Sequence, residues 1–145
     1  MSTYDTDFHD WIEEQSALLK TGQLAQLDVP HLIEELDSMS ARERRELINR
    51  LALLLAHLLK WHYQPERRCT SWRLTINEQR RQLALLLEDS PSLAQRLPEF
   101  LARAYEHAGR AALEETGFFK SPFPEHCAYR MADIMDEGYW PGGRD

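Results

Sequence analysis

An all-α helical bundle is the fold this sequence predicts, and three observations carry the prediction. Apolar residues recur at steps of three and four almost throughout. No stretch of four or more residues alternates apolar and polar in the way a half-buried strand would. Leu47, Leu51, Leu54, Leu58 and Trp61 step by 4, 3, 4 and 3, with Ile48, Leu55 and Leu59 widening the stripe, the pattern of a helix surrounded by others. A chain of 145 residues, 43% hydrophobic and 28% charged, fits one domain able to bury a core without disulfide or metal. Disordered, collagenous and membrane-spanning classes are excluded by the same figures.

The elements follow in order. A first helix is predicted over 7–20, burying Phe8, Ile12, Gln15 and Leu19 with Trp11 and Leu18 beside them, and Gly22 supplies a left-handed stop. Asp28, an N-cap residue type with Pro30 just after it, opens a short helix. The central apolar helix is predicted over about 40–64, where Ser40 and Glu43 form a capping box and Pro65 ends the run. Residues 33–39 fit either a continuous entry into it or a kink at 38–40.

A third long helix is predicted from Ser71, with Trp72, Ile76, Gln79, Leu83 and Leu86 on one face and Arg73, Asn77, Arg80 and Arg81 sharing another. Ser90 before Pro91 reads as an N-cap opening the next helix, which carries Leu93, Leu97, Phe100, Ala104, Ala108 and Ala111. Pro98 should kink or restart it, Gly109 weakens it and Gly117 closes it. The stretch 118–124 holds Phe118, Phe119, Phe123 and two prolines and reads as a loop whose aromatics lie across the bundle. A last short helix is expected over about 125–137. Residues 1–145 are thus read as one domain of about five helices, with 1–6 and 141–145 as tails.

The net charge of -7 is unevenly spread. Residues 42–81 hold ten cations against four carboxylates, a balance of +6, and the remainder carries -13. Fourteen of the seventeen cations are Arg, which suits bidentate pairing with carboxylate or phosphate. Either the middle is neutralised within the fold, by acidic stretches such as Glu34, Glu35 and Asp37, or it meets an outside anion. Cys69 and Cys127 form no disulfide framework and no paired-Cys metal spacing, as expected of a reducing cytoplasm. The acidic opening MSTYDTDFHDWIEE lacks the basic and apolar regions of a signal peptide. The longest apolar run, 51–59, is far short of the roughly 20 residues that span a bilayer. No membrane association is therefore expected.

Catalytic fingerprints are missing: there is no Gly-rich phosphate loop, nucleophile elbow, or pair of His one helical turn apart. That inclines the reading away from an enzyme, and no cofactor is expected. Two constellations remain. The basic aromatic segment 60–81 interleaves Lys60, Trp61, Arg67, Arg68, Ser71, Trp72, Arg73 and Arg80 around the start of the third long helix. A helix N-terminus flanked by Arg can take an anion, and Arg with aromatics can stack on bases. Against this, Trp61 and Trp72 occupy core positions of their helices. Six histidines raise a metal site on His31, Glu34, Glu35 and His57, since helical bundles hold metals between facing helices. The Glu-x-x-His spacing of a di-metal bundle is missing.

Taken together, Ile33-Glu34-Glu35-Leu36, His57-Leu58-Leu59-Lys60-Trp61, Ser71-Trp72-Arg73, Ile76 with Arg80, Ser90-Pro91-Ser92-Leu93, Tyr105 with Ala108, and Phe123-Pro124 before Cys127 resemble the domain-of-unknown-function 29 family. The likeness runs from about Tyr4 to Pro141, with local departures at Pro98 and Lys120-Ser121. It implies a compact all-helical bacterial protein with no established reaction. The function expected is that of a soluble cytoplasmic interaction or scaffold module with a protein partner. The alternatives are a nucleic-acid-binding or nucleic-acid-processing protein using 60–81, and a metal-dependent hydrolase with His and Glu ligands.

Overall fold

The computed structural model describes residues 3–145. Six helices follow in order: α1 (Thr3–Thr6), α2 (Phe8–Lys20), α3 (Val29–Tyr63), α4 (Thr70–Asp89), α5 (Leu97–Thr116) and α6 (Met131–Ile134), and among the described residues there is no strand. The fold is all-α with a long apolar helix at its centre, as predicted. Two compact units divide the chain, Met1–Glu43 and Arg44–Asp145, and the division falls inside α3.

In the N-terminal unit Asp7 caps α2, its carboxylate accepting from the Asp10 N–H at 3.1 Å, and Gly22 adopts φ 73° after the helix ends. The Asp28 carbonyl accepts from Leu32 N–H at 3.0 Å and so opens α3. Nothing in 38–40 breaks that helix: with neither Pro nor Gly there, α3 runs through Ser40 for 35 residues. The predicted capping box is thus an interior turn, and the central helix begins at Val29 rather than near 40. Trp11 Nε1 donates to Asp28 Oδ2 (3.0 Å), Asp28 N–H to Gln15 Oε1 (2.8 Å), and Tyr4 OH to Glu35 (2.6 Å). Early residues of the α1–α2 segment face later residues of α3 and late ones face earlier, so the segment and α3 run antiparallel. These polar anchors set the rotation of α2. They bury Trp11 and Gln15 and leave Phe8, Ile12 and Leu19 exposed, where the sequence predicts Phe8, Ile12 and Leu19 inside. Thr3–Thr6, expected within a tail, is a helical turn; Met1 and Ser2 lie outside the described residues.

The second unit is built on the predicted stripe of α3. Leu47, Leu51, Leu54, Leu58 and Trp61 are fully enclosed, joined by Ile76 and Leu83 of α4, Phe100, Ala104 and Ala108 of α5, and Ile134 of α6. Burying each large side chain contributes about 1.5–3 kcal/mol. Pro65 ends α3 as expected and begins a 3-10 turn, Pro65–Arg67. Helix α4 begins at Thr70, its N-cap Cys69 makes no side-chain cap bond, and Ser71 lies one residue inside the helix. Ser90 is likewise without a cap bond: Pro91–Arg96 is a 3-10 turn, and α5 restarts with Pro98 in its first turn, one of the two outcomes foreseen for Pro98. Gly117 closes α5 at φ 72°.

The last predicted helix, 125–137, shrinks to Met131–Ile134. Its C-terminal end is set from α4. The Arg80 side chain donates hydrogen bonds to the carbonyls of Ile134 (2.8 Å) and Tyr139 (2.7 Å), so those groups turn inward to it instead of along a helix. Residues 141–145, expected as a tail, are also held, with Pro141 buried.

Candidate functional site

The basic aromatic segment is organised around the Trp61 ring, which α3 delivers to the core. Arg68 lies 5.0 Å and Arg73 5.6 Å from its centroid, and Trp140 packs at 4.8 Å, distances at which cation–π attraction operates. Trp61 Nε1 donates to Gly143 O at 2.7 Å. Arg68 Nε donates to Trp61 O at 2.8 Å, and its two terminal nitrogens reach Asp145 O and Pro141 O. Gly142 makes room for this grip, since a Cβ there would stand 2.9 Å from Arg68 Nη2 on a backbone at φ +76°. Arg80 is 2% exposed, bonded to carbonyls and set 5.5 Å from the Trp140 ring; burial pulls its pKa down from the ordinary value. Lys60 is buried, paired with Glu115 at 2.5 Å, and lies 5.1 Å over Trp72. Arg67 and Ser71 are exposed, and Trp72 is half-buried.

Much of the basic middle is engaged within the chain, in part by the carboxylates anticipated and in part by main-chain carbonyls. Carboxylate pairs do occur, at Arg50–Glu46, Arg81–Glu78 and Lys60–Glu115. The acceptors of Arg68 and Arg80 are main-chain carbonyls of the C-terminal segment. A guanidinium fork presents several donors in one plane and can satisfy such carbonyls together.

Of the four residues considered for a metal, His31, Glu35 and His57 are engaged otherwise and Glu34 is exposed. His31 Nδ1 donates to Asp28 at 2.7 Å, which raises the pKa of His31 and lowers that of Asp28, the hydrogen bond being the main cause of each. Tyr4 stacks on the His31 ring at 3.9 Å and is pushed up to about 12, first by its hydrogen bond to Glu35. His57, in the second unit, donates to Leu53 O at 2.9 Å, and burial lowers its pKa. Among the described residues no group of three or more His, Cys, Asp or Glu is placed to hold a metal ion.

Two further features escaped the sequence reading. A groove of about 820 Å³ runs along α5 past Leu101, Tyr105, Gly109 and Leu113, with the loop bearing Phe123 and Cys127 as its other wall. Tyr105 OH fixes that loop by donating to Pro124 O at 2.6 Å. Burial pushes the Cys127 thiol up, away from the thiolate form a nucleophile needs. The other feature is the surface of the N-terminal unit. Phe8, Ile12 and Leu19 on α2 and Val29, Ile33 and Leu36 on α3 are all exposed, Leu36 at 63%. The signal for it was present in the composition: residues 1–43 hold ten carboxylates against two cations, so the unit carries -8 and the other unit +1.

The family model for Domain of unknown function DUF29 matches residues 3–140, nearly the whole chain. The chain belongs to this family. Every cation of the Trp61 cluster and both walls of the α5 groove lie inside the stretch matched to DUF29, as does the N-terminal surface. No curated protein and no solved structure matches this DUF29 chain. Among its described residues no helix is long and apolar enough to cross a membrane.

Proposed function

We propose that this DUF29 chain is a non-enzymatic helical interaction module that meets its partner through the N-terminal unit. One observation carries the reading. Of the twelve large apolar side chains left exposed among the described residues, eight lie between Phe8 and Met39. Single exposed apolar residues are ordinary, but a concentration of them on one small unit marks an interaction surface. Residues 1–145 act in this reading as one domain, since α3 belongs to both units. The setting we propose is the bacterial cytoplasm, consistent with two unbridged cysteines. Anion or nucleic-acid binding by Lys60, Trp61, Arg67, Arg68, Ser71, Trp72, Arg73 and Arg80 receives less support, because most of these side chains already have partners within the chain.

The test is the size of the native assembly. In a gentle extract of its own cells at native abundance, the wild-type chain elutes well above its 17.0 kDa. A variant carrying Ile33→Asp and Leu36→Asp, with unchanged helicity, elutes as a monomer. Elution of both at the monomer position overturns the reading.

A further inference from the structure

We propose that the N-terminal unit docks a basic amphipathic helix of a partner protein along the apolar seam between α2 and α3, an assignment that rests on reading this unit as the docking surface. The seam follows from helix geometry. On α2, Phe8, Ile12 and Leu19 fall on one stripe, beside the inward-facing Trp11 and Gln15. On α3, Val29, Ile33 and Leu36 step by 4 and 3 and lie more than a quarter-turn round the helix from the inward-facing Asp28, His31 and Glu35. Each stripe is displaced from its buried side in the same rotational sense, and the α1–α2 segment and α3 run antiparallel. Both stripes therefore come to the same side of the helical pair. Two antiparallel helices present ridges and a groove between them, and a third helix laid there buries its own i, i+4, i+7 face against both.

Charge selects the occupant. The unit carries ten carboxylates and two cations; by helical position Asp37 borders the α3 stripe, and Glu13 lies further round the outer side of α2 beside His9. A second copy would bring another unit of -8 against the first within a Debye length of about 10 Å, where like charges repel. Anionic lipid and nucleic-acid phosphate are opposed for the same reason. Lysine or arginine flanking an apolar helical face matches both features at once: the apolar residues enter the seam and the cations meet the carboxylates around it.

The experiment uses the full-length chain and synthetic peptides. One is a 21-residue helix with Leu at a and d positions and Lys elsewhere, the second has the same composition scrambled, and the third has Glu in place of Lys. Isothermal titration is expected to show binding of the Leu/Lys helix at least about tenfold tighter than the scrambled peptide, and no binding of the Leu/Glu helix. Ile33→Asp with Leu36→Asp should weaken the Leu/Lys helix about tenfold or more. Glu13→Lys with Asp37→Lys, which leaves the apolar residues in place, should weaken it severalfold and flatten its salt dependence. Equal binding of ordered and scrambled peptides, or indifference to the Ile33 and Leu36 substitutions, overturns the proposal, because attraction would then be charge alone. Equal binding of the Leu/Glu helix overturns the choice of a basic partner. Concentration-dependent dimerisation of the chain by itself, lost in the Ile33 and Leu36 variant, would make a second copy the occupant and overturn it too. If the native assembly shrinks in that variant while no peptide binds, the docking surface stands and only the partner class fails. If neither changes, both fail.

Discussion

Arg80 shows how a single side chain can organise a segment far away in sequence. Its fork holds the carbonyls of Ile134 and Tyr139, 54 and 59 residues on. Removing it strands those acceptors and leaves a cavity, so Arg80→Ala should lower stability by about 2–4 kcal/mol in urea unfolding. Arg80→Lys should recover less than half of that loss, because an ammonium is a point donor and cannot match the planar fork. Arg73 contrasts with it. The sequence suggests either an anion-binding residue or one buried against a carboxylate; the structure shows a half-buried guanidinium over Trp61 with no ion pair among the described residues. Arg73→Ala is therefore expected to cost only about 0.5–1 kcal/mol, the scale of a partly exposed cation–π contact, and Arg144→Ala close to nothing. A helical wheel assigns Arg80 to the polar face of α4, and only its distant acceptors make burial tolerable. That is why the most buried cation of the chain was illegible from its own neighbourhood.

At the level of elements, the apolar periodicity of α3 was sufficient to place Leu54 and Leu58 in the core, where both are fully enclosed. Substituting either by Ala should cost about 2–5 kcal/mol, measured by denaturant unfolding. The rotation of α2 was not legible. Its apolar residues permit two faces, and the choice is made by Trp11 Nε1 and Gln15 Oε1 bonding to Asp28, contacts that need the hairpin to exist first. Helix starts differ from expectation for a related reason: Ser40, Ser71 and Ser90 have capping chemistry, but Ser40 lies inside α3, Ser71 lies inside α4, and Ser90 makes no side-chain cap bond. A propensity for caps is local, whereas continuity of α3 is fixed by what packs around it. The hairpin also titrates. His31 is raised above its ordinary 6.5 and Asp28 lowered below 3.8, so the stability their bond adds is complete between about those values. It fades as pH rises through the folded pKa of His31, and again as pH falls through that of Asp28. His31→Gln should remove the alkaline part of this dependence in the N-terminal unit.

For the whole molecule, the two units are expected to answer pH in opposite directions. His57 and His62 in the second unit are lowered, each chiefly by burial. Their neutral forms are favoured in the fold, so stability there is complete above 6.5 and declines as pH falls below it. From pH 6 to 8 the second unit should gain urea resistance while the N-terminal unit loses it, a divergence that residue-resolved NMR during urea titration would expose. A single parallel response would contradict the assigned shifts. Division of charge is the other global trait. With the cations of 60–81 engaged by carbonyls, rings and Glu115, duplex DNA should show no binding at low salt. Five free phosphate contacts would instead give a log–log salt slope near -4 to -5. The charge asymmetry was legible from composition, but its meaning was not: the boundary that matters lies at Glu43, and it separates an acidic unit from a nearly neutral one.

The grip on the C-terminal segment has a kinetic consequence. Helices close contacts between near neighbours, but Arg80–Ile134, Arg68–Asp145 and Trp61–Gly143 join residues 54, 77 and 82 apart. Loop closure must be paid before such contacts reward it, so they are expected to form after the rate-limiting barrier. Weakening the grip, for example with Trp61→Phe, should leave the refolding arm of the chevron nearly unmoved and steepen loss through the unfolding rate. The native lifetime of the second unit is thus governed by its least helical part.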